Sequence, residues 1–412
     1  TTMRTTRRVP SGRLFGTESW TKDINGMNNK TIKIIGGKVF TPSGARKATV
    51  IIKDGLISEI TGDSVEIPDA EVIDAKGMNV VPGGIDIHIH GGGGHEFIEG
   101  TEEAFRTAVE AHAYYGMTSI LPTLPACPAS TMTESVRICE KLMSDPDSPI
   151  LGLHFEGPYL NPKKVGAIIP EYVTPPIRGD YESILDGTKI VRRWDAAPEL
   201  PGVEEFGRSL VNHGVLASIA HTVAEFPDVR KAFDAGFTHA THFYNAMTSV
   251  HNVREYKHEG TVESVYSIPE MTVEVIADGK HIPPVILRLI WMIKGADRTA
   301  LVTDALGCSA GGSDRIFDPR VVIHDGVCKL SDHSALAGSI ATMDRLVGTA
   351  VEAGIPFGDA VRMSSETPAR IIGANDRKGS LEKGKDADIV FYDNDIELKF
   401  VMRKGQVLRN DL

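Results

Sequence analysis

The motif Ile87-His88-Ile89-His90, set within GGIDIHIHGGGG at 83–94, places two imidazoles two residues apart at the end of an apolar run. Alternate residues of a strand share a face, so both rings point the same way. The glycines that follow let the backbone turn sharply beneath whatever the rings hold. This is part of a metal-site geometry. Two histidines alone are equally a pair of satisfied strand residues, so what decides is whether further ligands follow at matching positions.

They do. HFEGPYLN brings His154 and Glu156, SIAHT brings His221, HATHFYNAM brings His239 and His242, and ALVTDAL brings Asp304. Histidine and carboxylate without cysteine suit Zn2+, Fe2+ or Mn2+, with a coordination position left for water. Glu156, His221 and His242 make one carboxylate and two imidazoles; Gly157-Pro158 stops the strand directly after the carboxylate and sets its direction. By strand alternation His154 and His239 rank lower, as hydrogen-bond donors behind the ligands. Hydrolysis also needs a group that takes a proton from the attacking water and returns it to the leaving group. Asp304 is placed for both, the alternative being a turn or helix-capping aspartate.

The elements that must carry these residues alternate. Strand-like segments fall at 84–90, 118–123, 150–156, 189–194, 215–221, 238–243, 272–277 and 299–304. Between them TEEAFRTAVEAHAYY, STMTESVRICEKLM and EFPDVRKAFDA carry apolar residues at helical spacing. Eight such strands predict a (β/α)8 TIM-like barrel, whose chemistry sits at the strand C-termini, where every residue named above falls. Short β-rich runs separated by Gly-Gly, Pro-Ser-Gly and Asp-Gly precede the barrel, and a similar texture closes the chain. The expectation is a small discontinuous β-sandwich domain from 30–80 and 376–412, with the barrel domain at 81–375. Residues 1–29, polar and carrying Arg4, Arg7, Arg8 and Arg13 without an apolar stretch, read as a disordered or vector-derived leader rather than a secretory signal.

Composition excludes other classes. A net charge of −11 over 412 residues leaves no excess cation for a nucleic-acid backbone. An anionic substrate must therefore meet a local positive group, and Arg254, Lys257 and His258 supply one. Cys127, Cys139, Cys308 and Cys328 form no CxxC and read as reduced thiols of a cytoplasmic protein. No apolar run reaches membrane-spanning length.

Together GGIDIHIHGGGG, HFEGPYLNPKKVGA, the strand-end His221, HFYNAM, DGKH, VTDA and LAGS resemble the amidohydrolase superfamily, and within it the N-acetylglucosamine-6-phosphate deacetylase family, from about Ile32 to the C-terminal β segment. The resemblance implies a homodimeric barrel that removes acetate from an amino-sugar phosphate. It further implies Glu156, His221 and His242 as primary metal ligands, with His88 and His90 permitting a second ion, and Zn2+ before Fe2+ or Mn2+. Asp304 matches the catalytic acid/base and His281 the histidine that contacts the sugar and polarises the amide carbonyl. Asn245 and Ala246 match the phosphate-holding pair, and Arg254 the arginine given by the neighbouring subunit. Leu336, Ala337 and Gly338 match a substrate-lining turn, as does Ala167 in the KxGA turn. Ile168 departs from the pattern, since members often carry histidine there, and this leaves the sugar epimer open. Alternatives are a deacetylase of N-acetylgalactosamine 6-phosphate, a cyclic-amide hydrolase, or a catalytically silent barrel that binds sugar phosphates.

Overall fold

All eight expected barrel strands form: β1 (Gly84–Ile89), β2 (Met117–Pro125), β3 (Leu153–Tyr159), β4 (Val191–Ala196), β5 (Leu216–Ile219), β6 (Phe237–Ala240), β7 (Thr272–Ile276) and β8 (Thr299–Val302). The computed structural model describes residues 31–62, 65–312 and 316–412; the expected leader therefore lies outside the described residues. Each strand pairs in parallel with its neighbours in chain order. The first and last meet at the strand ends, where Asp304 N donates to His88 O and His90 N donates to Ala305 O, each at 2.9 Å. Strands covered on both faces read as continuous buried runs, and all six residues of β1 are buried.

Helices α1 (Glu102–Ala113), α2 (Ala129–Met143), α3 (Arg178–Gly187), α4 (Val203–Asn212), α5 (Phe226–Asp234), α6 (Thr261–Tyr266), α7 (Pro284–Lys294) and α8 (Met343–Glu352) alternate with the strands. Local sequence explains α1. Thr101 caps it by accepting from Ala104 N at 3.1 Å, Glu102 and Glu103 face the positive helix end, and Phe105, Ala108, Val109 and His112 bury one stripe. The long segment after the HFYNAM motif is a hairpin, His251–Val253 with Tyr256–His258, followed by the short α6.

Packing reaches the site through Trp194, which is fully buried against Phe155, Tyr159 and Phe206. Its indole Nε1 donates to Gly157 O at 2.8 Å and so anchors the backbone directly after Glu156; the strand does not stop at Gly157-Pro158 as expected but runs on to Tyr159. Losing such a side chain from a close-packed core costs about 3–5 kcal/mol.

The two chain ends pair as expected. Thr31–Thr41, Gly44–Lys53, Leu56–Thr61, Glu71–Asp74, Asn79–Pro82, Ile389–Tyr392, Leu398–Arg403 and Gln406–Asn410 join one hydrogen-bonded sheet. In place of two separate sheets, its wings share a single core that includes Val50, Ile52, Ile73, Phe391 and Phe400. None of the four cysteines forms a disulfide, and Cys308 and Cys328 Sγ lie 3.5 Å apart. Among the described residues no helix is long and apolar enough to cross a membrane.

Candidate active site

Six side chains from five strand ends converge at the C-terminal mouth. Glu156, His221 and His242 form one group and His88, His90 and Asp304 another, all buried. Glu156 joins them. Its Oε1 lies 3.0 Å from Nε2 of both His221 and His242, and its Oε2 lies 3.3 Å from His90 Nε2. Asp304 Oδ1 lies 3.1 Å from His90 Nε2 and 3.6 Å from His88 Nε2.

The donors fit a divalent cation. Nε2 atoms face one another at 3.1 Å for His221 and His242 and at 3.3 Å for His88 and His90. Ligands about 2.05 Å from a tetrahedral zinc stand about 3.3 Å apart, so these spacings are those of atoms sharing an ion. The free ring nitrogens are set from behind: His221 Nδ1 donates to Lys164 O at 2.7 Å and His88 Nδ1 to Glu274 Oε1 at 2.6 Å, leaving each Nε2 lone pair toward the site.

Three of the six residues hold backbone conformations that side chains seldom adopt, His221 at φ 44°, His242 at φ 29° and Asp304 at φ 47°. Each such residue costs about 1–3 kcal/mol and persists where its surroundings over-determine it. Asn161 N donates to His221 O at 3.0 Å, His242 N to Glu274 Oε1 at 3.1 Å, and Ser339 N to Asp304 O at 2.7 Å. Gly338 is needed in this arrangement, because at φ 60° a Cβ there would sit 2.8 Å from Asp304 O.

Electrostatics follow from burial against mutual attraction. Burial disfavours charge on His88, yet Glu274, Asp304 and Glu156 override it and hold the imidazole well above its usual range. His90 is likewise opposed by burial and pushed up to about 9 by Asp304 and Glu156. Burial would raise both carboxylates, but His88 with His221 and His242 pulls Glu156 well down, and His88 with His90 pulls Asp304 down. Charged carboxylates facing imidazoles form a site that a cation enters by displacing protons.

The remaining expected residues distribute as follows. His281 lies just beyond β7, its Nδ1 2.8 Å from Asp278 Oδ2. Burial would raise Asp278, but the hydrogen bond and charge of His281 and the Lys280 and His281 amides hold it down. Asn245 Nδ2 donates to His242 O at 3.2 Å, and Ala246, at φ 52°, accepts from Thr222 N, so both are tied to ligand-bearing turns. Of the 336–338 turn, Gly338 adjoins Asp304 O, whereas Leu336 pairs with Lys329 and Ala337 N donates to Cys328 O. Ala167 O accepts from Arg320 Nη2 at 2.7 Å. Ile168 packs into an apolar cluster with Ala126, Leu160 and Ala220. Arg254 stands exposed at the tip of the 251–258 hairpin, with Lys257 exposed and His258 half-buried on its second strand. His154 and His239 are buried outside both ligand groups; His154 Nε2 lies 3.0 Å from Asp195 Oδ2 and His239 Nε2 3.3 Å from Glu274 Oε2.

Sequence reasoning passed over Asp278, which sits inside the DGKH motif, and Glu274, Arg193 and Asp195, which lie beneath the ligands. Their signal was present: charged residues inside the otherwise apolar strands VRRWDA and TVEVI.

The chain is similar over most of its length to known proteins. N-acetylglucosamine-6-phosphate deacetylase of Haemophilus influenzae is 32% identical over 350 residues, covering 81% of this chain and 89% of that protein. N-acetylgalactosamine-6-phosphate deacetylase of a Shewanella species is 30% identical over 382 residues, 90% of this chain and 95% of that one. Among solved structures, N-acetylglucosamine-6-phosphate deacetylase from Pasteurella multocida superimposes with a TM-score of 0.87 at 28% identity, over 92% of this chain and 100% of that one. A point mutant of the Mycobacterium smegmatis deacetylase, in complex with N-acetyl-D-glucosamine-6-phosphate, gives a TM-score of 0.84 at 30% identity, with the same coverage. The profile of the amidohydrolase family matches residues 79–408, and with the barrel and its ring of strand-end ligands this chain belongs to that family.

Proposed function

We propose that the chain hydrolyses the acetamide of N-acetyl-D-glucosamine 6-phosphate, giving D-glucosamine 6-phosphate and acetate, as a step of amino-sugar breakdown. The observation that carries this reading is the joining of both ligand groups through Glu156 beside Asp304, in a chain similar over most of its length to deacetylases of that substrate. Glu156, His221 and His242 hold one divalent cation, Zn2+ before Fe2+ or Mn2+, and His88 and His90 with Asp304 are suited to a second. When bound, such an ion supplies Lewis-acid polarisation of the carbonyl and acidifies water.

The protein groups do the rest. Asp304 accepts the proton of the attacking water as its oxygen bonds to the acetyl carbon, then delivers that proton to the amine nitrogen as the C–N bond breaks. His281, held by Asp278, donates to the carbonyl oxygen and stabilises its developing charge. Asn245 and Ala246 receive the phosphate, Ala167 and the 336–338 turn line the sugar, and Arg254 reaches the phosphate from the second subunit of a homodimer. That assignment of Arg254 is consistent with its exposed place on the hairpin tip, away from its own chain's ligand turns.

A second reading has its own support. N-acetylgalactosamine-6-phosphate deacetylases match at 30% identity over 90% of the chain, and Ile168 is apolar where the family pattern often has histidine. Acetate release measured on both epimers, with and without the 6-phosphate, decides between them. A preference of ten-fold or more for the gluco epimer supports the first reading, the reverse preference the second, and no acetate release from either rules out both, leaving a cyclic-amide hydrolase or a silent sugar-phosphate-binding barrel.

A further inference from the structure

Barrel interiors are normally filled by layers of apolar side chains. Directly beneath the ligands this one instead carries Arg193, Asp195 and Glu274, all fully buried. Arg193 ties four strands together, bonding Ile87 O, Ser218 Oγ, Thr241 Oγ1 and the Glu274 carboxylate. A buried ion pair is a weak source of stability, since well-packed apolar residues of similar volume often do as well or better. Stability alone therefore does not account for this layer.

What distinguishes Glu274 is where its two oxygens go. Oε1 accepts from His88 Nδ1 at 2.6 Å, from His242 N at 3.1 Å and from Arg193 Nη2 at 2.9 Å. Oε2 is held by Arg193 Nη1 and lies 3.3 Å from His239 Nε2. One carboxylate thus grips a residue from each ligand group, the ring of His88 in one and the strained backbone of His242 in the other. A histidine ligand's far nitrogen sets which tautomer it presents, and a carboxylate there fixes both proton and ring plane.

We propose that Glu274 is a positioning residue, locked by Arg193, whose hold on His88 makes the second cation site at His88, His90 and Asp304 possible. The claim rests on the cation reading of the site and is independent of which amide the enzyme cleaves. Arg193 fixes the direction of the carboxylate by bonding both of its oxygens.

The test is zinc stoichiometry of the full chain, stripped and reloaded, by elemental analysis and calorimetric titration, with folding checked by circular dichroism. Wild type is expected to bind two ions per chain. Arg193→Met/Glu274→Leu, which removes both charges together, is expected to bind the second ion roughly 10–100-fold more weakly, the usual effect of losing an outer partner. Arg193→Met/Glu274→Gln returns a carbonyl acceptor to His88 without the charge and is expected to restore it. A single ion in wild type, two ions at wild-type affinity in the leucine variant, or no recovery with glutamine each overturns the proposal. Should the variants fail to fold, 15N-histidine spectra of the zinc-loaded wild type still decide, because a His88 ring that keeps a proton on Nε2 contradicts it and one protonated at Nδ1 alone supports it. Acetate release by a one-ion wild type would leave the deacetylase reading standing while removing this one; two ions dependent on Glu274 without acetate release would do the reverse.

Discussion

Asp304→Asn tests proton transfer while leaving the Glu156, His221 and His242 ligand group intact, and both metal contents are followed because Asp304 also belongs to the second group. The backbone there depends little on the side chain, since Asp304 N donates to His88 O and Asp304 O accepts from Ser339 N. Asparagine is also among the residues that best tolerate the φ of 47°. What the amide cannot do is accept a proton from water. Losing a positioned acid–base group costs roughly 10²–10⁴ in rate, which at 1.36 kcal/mol per decade is about 2.7–5.4 kcal/mol of transition-state stabilisation. Stability changes less: the 3.1 Å contact to His90 is a charge-assisted hydrogen bond, worth about 1.5–3 kcal/mol, too little to unfold a barrel of this size. The assay is acetate release under saturating N-acetylglucosamine 6-phosphate, with metal content measured on the same sample. The expected result is a fall in kcat of at least a hundred-fold with the ion at Glu156, His221 and His242 retained. Turnover within about three-fold of wild type at equal metal content would refute the role, and so would loss of that ion, since Asp304 would then act through binding alone.

Asp278→Asn should leave metal content unchanged and lower kcat roughly ten-fold or more, because it weakens the 2.8 Å contact that orients His281; a change confined to KM would argue instead for a role in substrate binding. Stripping the protein with a zinc chelator should abolish acetate release and lower Tm, with a stabilisation of about 4 kcal/mol expected at a thousand-fold excess of ion over its Kd, and readdition of Zn2+ should restore both; a stripped protein that still turns over contradicts the cation reading. His112 is fully buried, and desolvation pushes it down to about 4 despite the hydrogen bond it donates to Gly91 O. Above pH 6.5 it is neutral folded or unfolded; between 6.5 and 4 only the unfolded chain takes up the proton, so stability falls by about 1.36 kcal/mol per pH unit, roughly 3 kcal/mol in all, and levels off below. Urea titrations of wild type and His112→Gln should show that the wild-type advantage shrinks over that window, whereas a pH-independent difference would contradict the assignment.

Periodicity and residue type carried most of the fold and the ligand set. Alternation of apolar strands with amphipathic helices located all eight barrel strands, because burial on both faces demands continuous apolar runs. The end of each run marked where chemistry belongs, so His88, His90, Glu156, His221, His242 and Asp304 were readable as a set from residue order alone. Charged residues within strands were not readable in the same way. Glu274 and Arg193 lie 81 positions apart, and whether each faces solvent, a helix or the barrel axis depends on strand tilt and closure, which no local pattern encodes. Tertiary structure also decided that Glu156 stands between the two ligand groups, that Arg254 stays on an exposed hairpin, and that Ile168 turns into an apolar cluster. Residue identity states which donors are available; only the closed barrel brings their lone pairs within the 3.0–3.3 Å at which they can share a cation.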